Sequence, residues 1–239
     1  MQMLQKWRDC KEKTMSNLNF LLFGIYPFIA ITVFFVGCWI RYDREPYSWK
    51  ADSSQLFDQK GFRLASNLFH IGVIFILAGH FVGLLTPESV YHHFISSPNK
   101  QLLAMVSGGF FGIVCLVGLV MLIKRRLNND RVKANTRRSD MVVLYMLLVQ
   151  VSLGLLTVVV SMSHLDGSVM VLLGTWTQSI ATLQGAQAAA AIESVNIIYK
   201  LHILVGLTLI MIFPFTRLVH VISVPVKYLA RNYQIVRQR

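Results

Sequence analysis

The sequence predicts an all-α integral membrane protein built as a bundle of five transmembrane helices. Of its 239 residues, 54% are hydrophobic and only 14% are charged, whereas a soluble domain carries about 25% charged residues. Crossing a bilayer takes about 20 helical residues, and five apolar runs are long enough: 19–40, 64–85, 102–123, 141–163 and 195–219. Because these runs are almost continuously apolar rather than alternating, they indicate helices and not barrel strands.

The distribution of Lys and Arg predicts the orientation of these five spans. Seventeen of them lie in the loop after the first span, the loop after the third and the C-terminal tail. The other loops and the last span contribute only Lys100 and Lys200. Since cytoplasmic loops are enriched in Lys and Arg, we expect the N-terminus outside and both basic loops and the tail inside.

The first 14 residues depart from that charge pattern. Four positive charges fall on a segment that the predicted topology exports: Lys6, Arg8, Lys11 and Lys13. The segment Met15-Ser16-Asn17 stands immediately before the first span and offers a later start. We therefore expect residues 1–14 to be a mis-assigned start or a short exported tail. A signal-peptide n-region is the alternative, but no small-residue cleavage site follows the apolar run.

Charge and cysteine content exclude two other classes of function. The net charge of +12 sits where membrane insertion and anionic headgroups favour it, which argues against a nucleic-acid-binding protein. The three cysteines, Cys10, Cys38 and Cys115, have no paired spacing. They supply neither an iron–sulfur cluster nor a disulfide framework, so any such cluster must belong to another chain.

Four of the seven histidines lie in or at the end of two spans: His70 and His80 in the second, His202 and His220 in the fifth. Ionisable residues within a membrane are costly and usually functional. The two spans run antiparallel, so His80 should face His202 near the outside and His70 should face His220 near the inside. Two imidazoles on opposite sides of one iron make a six-coordinate haem that carries electrons. Without a C-x-x-C-H motif, both haems would be b-type.

The spacing of the ligands is compatible with two stacked haems. At the helical rise, His70 and His80 are about 15 Å apart, His202 and His220 about 27 Å, and the haem centres about 20 Å. Tilt and a kink at Pro214 would absorb the mismatch.

Three alternative explanations of the histidines remain open. A single intramembrane histidine often makes only an interhelical hydrogen bond. A zinc site would need three or four ligands at one depth, whereas each depth here offers two. A transporter with a histidine proton relay would usually want intramembrane carboxylates, but Asp140 and Glu193 lie at span boundaries.

Other candidate residues have two interpretations each. Gly72, Gly79 and Gly206 either make room for a macrocycle or serve plain helix packing. The loop histidines His92, His93 and His164 are either solvated side chains near the outer surface or parts of a proton relay. The loop from 164 to about 194 has no Lys or Arg and is too apolar to be solvated. We expect it to form short helices on the outer face, roofing a pocket.

Several motifs resemble the gamma subunit of membrane-bound respiratory nitrate reductase. They are LASNLFH at 64–70, GHF at 79–81, LTP at 85–87, FPF at 213–215 and RLVH at 217–220, together with RYD at 41–43, HLDGS at 164–168, SVPV at 223–226, YL at 228–229 and YQ at 233–234. The resemblance is collinear from about residue 23 to 237 and leaves out residues 1–14.

This resemblance implies a dihaem cytochrome b in the bacterial inner membrane, with a periplasmic N-terminus and a cytoplasmic C-terminus. It implies an inner haem on His70 and His220 and an outer haem on His80 and His202. Menaquinol or ubiquinol would be oxidised near the outer face, where its protons are released. Electrons would pass through the haems to a cytoplasmic iron–sulfur subunit and a molybdenum-containing catalytic subunit, where nitrate is reduced to nitrite.

The resemblance also assigns roles to residues around the haems. It places the quinol-site lysine on Lys100, which alternatively is a lysine snorkelling at a helix end. Gly79 would belong to the quinol or haem pocket. Arg217 either pairs with a propionate of the inner haem or anchors the inner boundary. The membrane domain would span residues 15–222, and the tail 223–239 would dock the iron–sulfur partner or lie on the membrane as a surface helix.

A related alternative is the dihaem cytochrome b of another quinone-linked complex, such as formate dehydrogenase, hydrogenase or a heterodisulfide-reductase-like system. Those complexes use similar bundles with different ligand spacings, and the tail motif argues against them.

Overall fold

The computed structural model describes residues 16–49 and 61–222, which form helices joined by short loops. Five of these helices are long and apolar enough to cross a membrane, and we call them spans 1 to 5. They are Ser16–Arg44, Phe62–Leu85, Ser97–Asn128, Arg138–Ser161 and Ile197–Phe215. The prediction of an all-α protein with five membrane helices is therefore confirmed. The extension 1–14 and the tail 223–239 lie outside the described residues.

The five spans alternate in direction, so the bundle has two distinguishable ends. The cap end carries Lys100 and two further helices after span 4, Ser168–Ala181 and Gly185–Ile192, which we call the cap helices. The basic end carries Arg126, Arg137 and Arg217. The expectation of short helices between residues 164 and 194 is thus confirmed.

Local sequence signals account for several helix ends. Span 3 begins at Ser97 with a proline in its first turn, where the missing N–H costs no hydrogen bond. Span 4 begins with a capping box, in which the Asp140 carboxylate accepts the Arg137 backbone N–H at 3.0 Å. The first cap helix follows Gly167, whose φ of 84° suits a residue without a side chain.

Span 5 differs from the continuous helix on which the ligand spacing was calculated. Its α-helix ends at Ile212, a 3₁₀ turn covers Phe213–Phe215, and a second one covers Arg217–Val221. Pro214 ends the α-helix rather than kinking it, because proline cannot donate the next helical hydrogen bond. His220 therefore lies in a 3₁₀ segment at the basic end.

Spans 2 and 3 cross at close range through small residues. A Cβ added to Gly72 would lie 2.6 Å from the Cβ of Cys115, and one added to Gly118 would lie 2.8 Å from the Ala65 carbonyl oxygen. Glycines at such crossings let two backbones approach closely. This face of span 2 is packed, whereas its other face is exposed at Ile74, with 60% of the residue accessible.

The buried core lies at the cap end, where the cap helices close over spans 1 and 5. Trp176 donates its indole N–H to the Phe23 carbonyl oxygen at 3.1 Å. The fully buried Ala188 and Ile192 belong to the same apolar cluster, which also includes Leu207 of span 5. This cluster fixes the cap helices and with them one wall of the pocket described below.

Candidate functional site

The structure places the rings of His80 and His202 opposite each other, with centroids 6.1 Å apart and planes inclined by 40°. His80 comes from span 2 and His202 from span 5, and the backbones of these two spans are not closely packed. Two imidazoles that bind one metal from opposite sides, with bonds of about 2 Å, have centroids about 6 Å apart. The observed spacing therefore fits a shared axial pair.

Three of the four histidines have one ring nitrogen occupied by the backbone. The Nδ1 atom lies 2.7 Å from the Ser66 carbonyl oxygen in His70, 2.8 Å from that of Ile76 in His80, and 2.6 Å from that of Arg217 in His220. A carbonyl accepts a hydrogen bond, so it holds the proton on Nδ1 and leaves Nε2 with a lone pair. Metal-ligating histidines are held in this way by their surroundings.

Among the described residues, no backbone group bonds the ring of His202, and span 4 lies against this ring instead. Its Nε2 atom lies 3.4 Å from Nε2 of Gln150. Its Nδ1 atom and Oε1 of Gln150 are both buried and have no hydrogen-bond partner in the part of the chain that the structure describes. A Cβ added to Gly154 would lie 3.1 Å from the ring, so glycine here makes room for the imidazole. Gln150 and Gly154 carry no hydropathy signal that would have identified them in the sequence.

The predicted inner pair has a different arrangement. His70 and His220 both lie toward the basic end, but no ring contact joins them within the described part of the chain. Arg217 forms a bidentate ion pair with Asp140, in which Nε lies 2.6 Å from Oδ1 and Nη2 contacts Oδ2. Asp140 is only 5% exposed, and Arg126 lies 4.0 Å from the same carboxylate. In the sequence, Asp140 stands at a span boundary, where nothing indicates this ion pair.

Arg41 of span 1 holds the chain just before His220. Its Nη1 atom donates to the carbonyl oxygens of Pro214 at 2.6 Å and Thr216 at 2.7 Å. Those carbonyls are among the acceptors left over where the α-helix of span 5 ends. Arg41 is the first residue of the RYD motif, and in the structure it fixes the turn that leads to His220.

The glycines proposed to attend the ligands fall into two groups. Gly72 contacts span 3, and a Cβ added to Gly206 would lie 3.1 Å from Gln150; both serve helix packing. A Cβ added to Gly79 or Gly108 would meet no atom of the described residues within 4 Å. Gly79 precedes His80, so the described residues leave space beside this candidate ligand, as a flat macrocycle between helices would require.

Lys100 lies in a pocket at the cap end, with its Nζ atom 3.5 Å from the centroid of the Tyr91 ring. The pocket is a half-open cleft, and its empty volume of about 240 Å³ includes open solvent at its mouth. Its walls come from the loop after span 2, the start of span 3 and the first cap helix: Thr86, Glu88, Tyr91, Lys100, Met170, Val171, Gly174, Thr175 and Gln178. The cap helix thus roofs the pocket as expected. Gln178 donates to the Leu84 carbonyl oxygen at 3.1 Å, which ties the roof to span 2.

The comparisons with known proteins assign the chain to one family. Residues 19–239 match the family model described as nitrate reductase gamma subunit. The chain is 49% identical to respiratory nitrate reductase 1 gamma chain of Escherichia coli (strain K12), covering 94% of this chain and 100% of that protein. It is 46% identical to respiratory nitrate reductase 2 gamma chain of the same strain, covering 93% and 98%.

A more distant relative has the same extent. The chain is 35% identical to the nitrate reductase gamma chain of Bacillus subtilis (strain 168), covering 92% of this chain and 98% of that protein. Two E. coli relatives, this third relative and the family model therefore agree over nearly the whole chain. The chain belongs to the nitrate reductase gamma subunit family.

Proposed function

We propose that the chain is the dihaem cytochrome b subunit that oxidises quinol for a nitrate reductase complex. The observation that carries this proposal is the facing pair of His80 and His202, whose ring centroids are 6.1 Å apart between spans 2 and 5. Membership of the nitrate reductase gamma family favours this complex over formate dehydrogenase, hydrogenase or heterodisulfide-reductase-like systems.

Each haem b would be held by one histidine from span 2 and one from span 5. His80 and His202 bind the haem at the cap end, and His70 and His220 bind the other at the basic end. Haem held in this way would supply one-electron redox chemistry. The backbone carbonyls on Nδ1 of His70, His80 and His220 support Nε2 as the ligating atom. Arg217, engaged by Asp140, approaches a propionate only while keeping that ion pair.

Quinol, either menaquinol or ubiquinol, would bind in the pocket that contains Lys100. The ammonium group of Lys100 donates a hydrogen bond to one quinol oxygen, and the absence of a side chain at Gly79 leaves room for a macrocycle beside His80. The pocket's mixed lining of apolar and polar side chains suits a head group with two hydroxyls.

The charge distribution supports an outer, periplasmic cap end and an inner, cytoplasmic basic end in a bacterial inner membrane. Quinol protons are then released outside, while electrons move inward from the cap-end pair to the basic-end pair. An iron–sulfur subunit docks at the basic end, with the tail 223–239 as part of the contact. It passes the electrons to a molybdenum subunit, where nitrate is reduced to nitrite.

The first test is a reduced-minus-oxidised absorption spectrum of the purified complex, with extracted haem counted per chain. We expect two b-type haems. His80→Ala or His202→Ala should remove the cap-end haem, and His70→Ala or His220→Ala the other. His93→Ala provides a matched histidine control that keeps both. Equal loss of both haems in every ligand variant, with the chain still inserted, would contradict the pairing.

Lys100→Met tests the quinol site separately. It should keep both haems reducible by dithionite but lower the rate at which a soluble quinol analogue reduces them. If the quinol analogue reduces the haems of Lys100→Met at the wild-type rate, Lys100 is not part of the quinol site.

A further inference from the structure

We infer that Glu88 is the group that takes a proton from quinol, and that His92 passes this proton to water at the cap end. This inference rests on the proposed function and names the proton acceptor of that same site. Glu88 is the one carboxylate among the residues that line the Lys100 pocket. Quinol oxidation needs a proton acceptor there, because a hydroxyl that loses an electron must also lose its proton.

Glu88 and His92 are in direct contact one helical turn apart. Oε1 of Glu88 lies 3.0 Å from Nε2 of His92, and about half of each side chain is exposed. Both sit on the short helix Glu88–Tyr91 and the residue that follows it. Glu88 therefore faces the pocket on one side and reaches a solvent-accessible imidazole on the other. Histidine is suited to this position because it exchanges protons near neutral pH.

A buried hydroxyl fixes the pair in this arrangement. Oγ of Ser97 lies 3.1 Å from Nε2 of His92 and 3.4 Å from Oε1 of Glu88. The Tyr91 hydroxyl lies 3.0 Å from the same Oγ. The ammonium group of Lys100 lies over the ring of Tyr91. One small network therefore positions Lys100, the Glu88 carboxylate and the His92 imidazole.

The other charged and titratable groups near this network do not compete for the role. Lys100 is the pocket's cation, and an ammonium group donates hydrogen bonds but accepts none. Gly167 packs against Ser97 and brings the loop of His164 and Asp166 close to the network, but neither side chain lines the pocket. A side-chain hydrogen bond from Ser168 lowers the pKa of Asp166, which makes that carboxylate a weaker proton acceptor.

The reaction balances with the groups already named. One quinol becomes one quinone and releases two electrons and two protons; the haem that His80 and His202 would hold would supply the one-electron acceptor. The O–H bond nearer Glu88 breaks, and its proton goes to the carboxylate, then to Nε2 of His92, and from that ring to water. Lys100 donates a hydrogen bond to the other quinol oxygen, whose proton leaves to water at the exposed side of the pocket.

The test is the rate at which a soluble quinol analogue reduces the haems in the whole purified complex, followed by stopped-flow absorption. General acid–base groups contribute about 10²- to 10⁴-fold to rates. We therefore expect Glu88→Gln to slow reduction at least about 100-fold and His92→Gln about tenfold, since the exposed Glu88 also releases protons directly to water. Glu193→Gln, an exposed cap-end carboxylate outside the pocket lining, should match the wild type.

Two further measurements separate proton transfer from binding and folding. All variants should keep the wild-type amount of dithionite-reducible haem. A quinol-analogue inhibitor should bind Glu88→Gln within about twofold of wild type, and Glu88→Asp should recover part of the rate. A loss of inhibitor affinity as large as the loss of rate would overturn the proton-accepting role, because Glu88 would then simply hold the head group.

The outcomes for the inference and for the proposed function are distinct. If quinol reduces the wild-type haems and Glu88→Gln is equally fast, the inference is wrong and the proposed function stands. If quinol does not reduce the haems of the wild-type complex at all, the proposed function itself is wrong.

Discussion

Replacing Asp140 by asparagine should loosen the segment that carries His220 and weaken binding of the haem proposed at the basic end. The carboxylate of Asp140 is 5% exposed and pairs with Arg217 through both oxygens. It also accepts the Arg137 backbone N–H at 3.0 Å. The Arg217 carbonyl oxygen in turn holds Nδ1 of His220 at 2.6 Å. Removing the negative charge of Asp140 therefore weakens its ion pair with Arg217 and, through Arg217, the hydrogen bond that positions His220.

The magnitude follows from the burial of the pair. Removing one partner of a buried ion pair costs about 3–5 kcal/mol. Arg217 is 19% exposed, so water compensates part of that loss, and we expect about 2–4 kcal/mol. At about 1.4 kcal/mol per tenfold change, the state in which the segment around Arg217 is detached from span 4 becomes roughly 30- to 700-fold more populated. Loss of an outer partner of a metal ligand costs about 10- to 100-fold in metal affinity.

The assay is haem content per chain together with separate redox titration of the two haems. Asp140→Asn should lose or weaken the basic-end haem while the cap-end haem keeps its midpoint potential. Asp130→Asn is the matched control, because Asp130 is an exposed carboxylate at the same end. Asp140→Asn with both haems at wild-type content and potential would refute the reasoning.

Three further substitutions test contacts that position the site. Gly118→Ala should lower the stability of the detergent-solubilised protein by about 1–3 kcal/mol, because the added Cβ would lie 2.8 Å from a span 2 carbonyl oxygen. Thermal unfolding measures this loss. Gly109→Ala is the control, because among the described residues its added Cβ has no neighbour nearer than 3.9 Å. Arg41→Met should lower the free energy of unfolding by about 2–3 kcal/mol, because it leaves the Pro214 carbonyl without its charged donor. It should also reduce haem content at the basic end, and unchanged content would show that Arg41 does not hold the turn before His220. Gln150→Leu should lower the affinity for the cap-end haem about 10- to 100-fold and leave the affinity for the basic-end haem unchanged. The rate of haem loss to an acceptor protein measures both affinities. Equal loss from both sites would contradict a local role of Gln150.

The arrangement of the spans was predictable because lipid imposes simple rules on a sequence. A segment in hydrocarbon must satisfy its backbone hydrogen bonds internally, so each span appears as a long apolar helix. Antiparallel order then follows from counting spans, and it predicted that His80 faces His202. The structure confirms five membrane helices and places those two rings together.

The sequence was less informative where helices end and where loops fold back. Pro214 was expected to kink a continuous helix, yet the α-helix ends before it and Arg41 binds the freed carbonyls. Asp140 stands at a span boundary in the sequence, yet it is buried against Arg217. In both cases the decisive partner comes from a distant part of the chain, and hydropathy carries no information about such pairs.

The sequence by itself determined the membrane class, the number of spans, the candidate haem ligands and the single lysine of the second loop. Only the tertiary structure decided which polar groups meet at the cap end. Glu88 and Lys100 share a pocket because the loop between spans 2 and 3 folds under a cap helix that begins at Ser168. That fold depends on side-chain packing between distant segments, such as Trp176 against Phe23, whereas a span depends only on its own apolar composition.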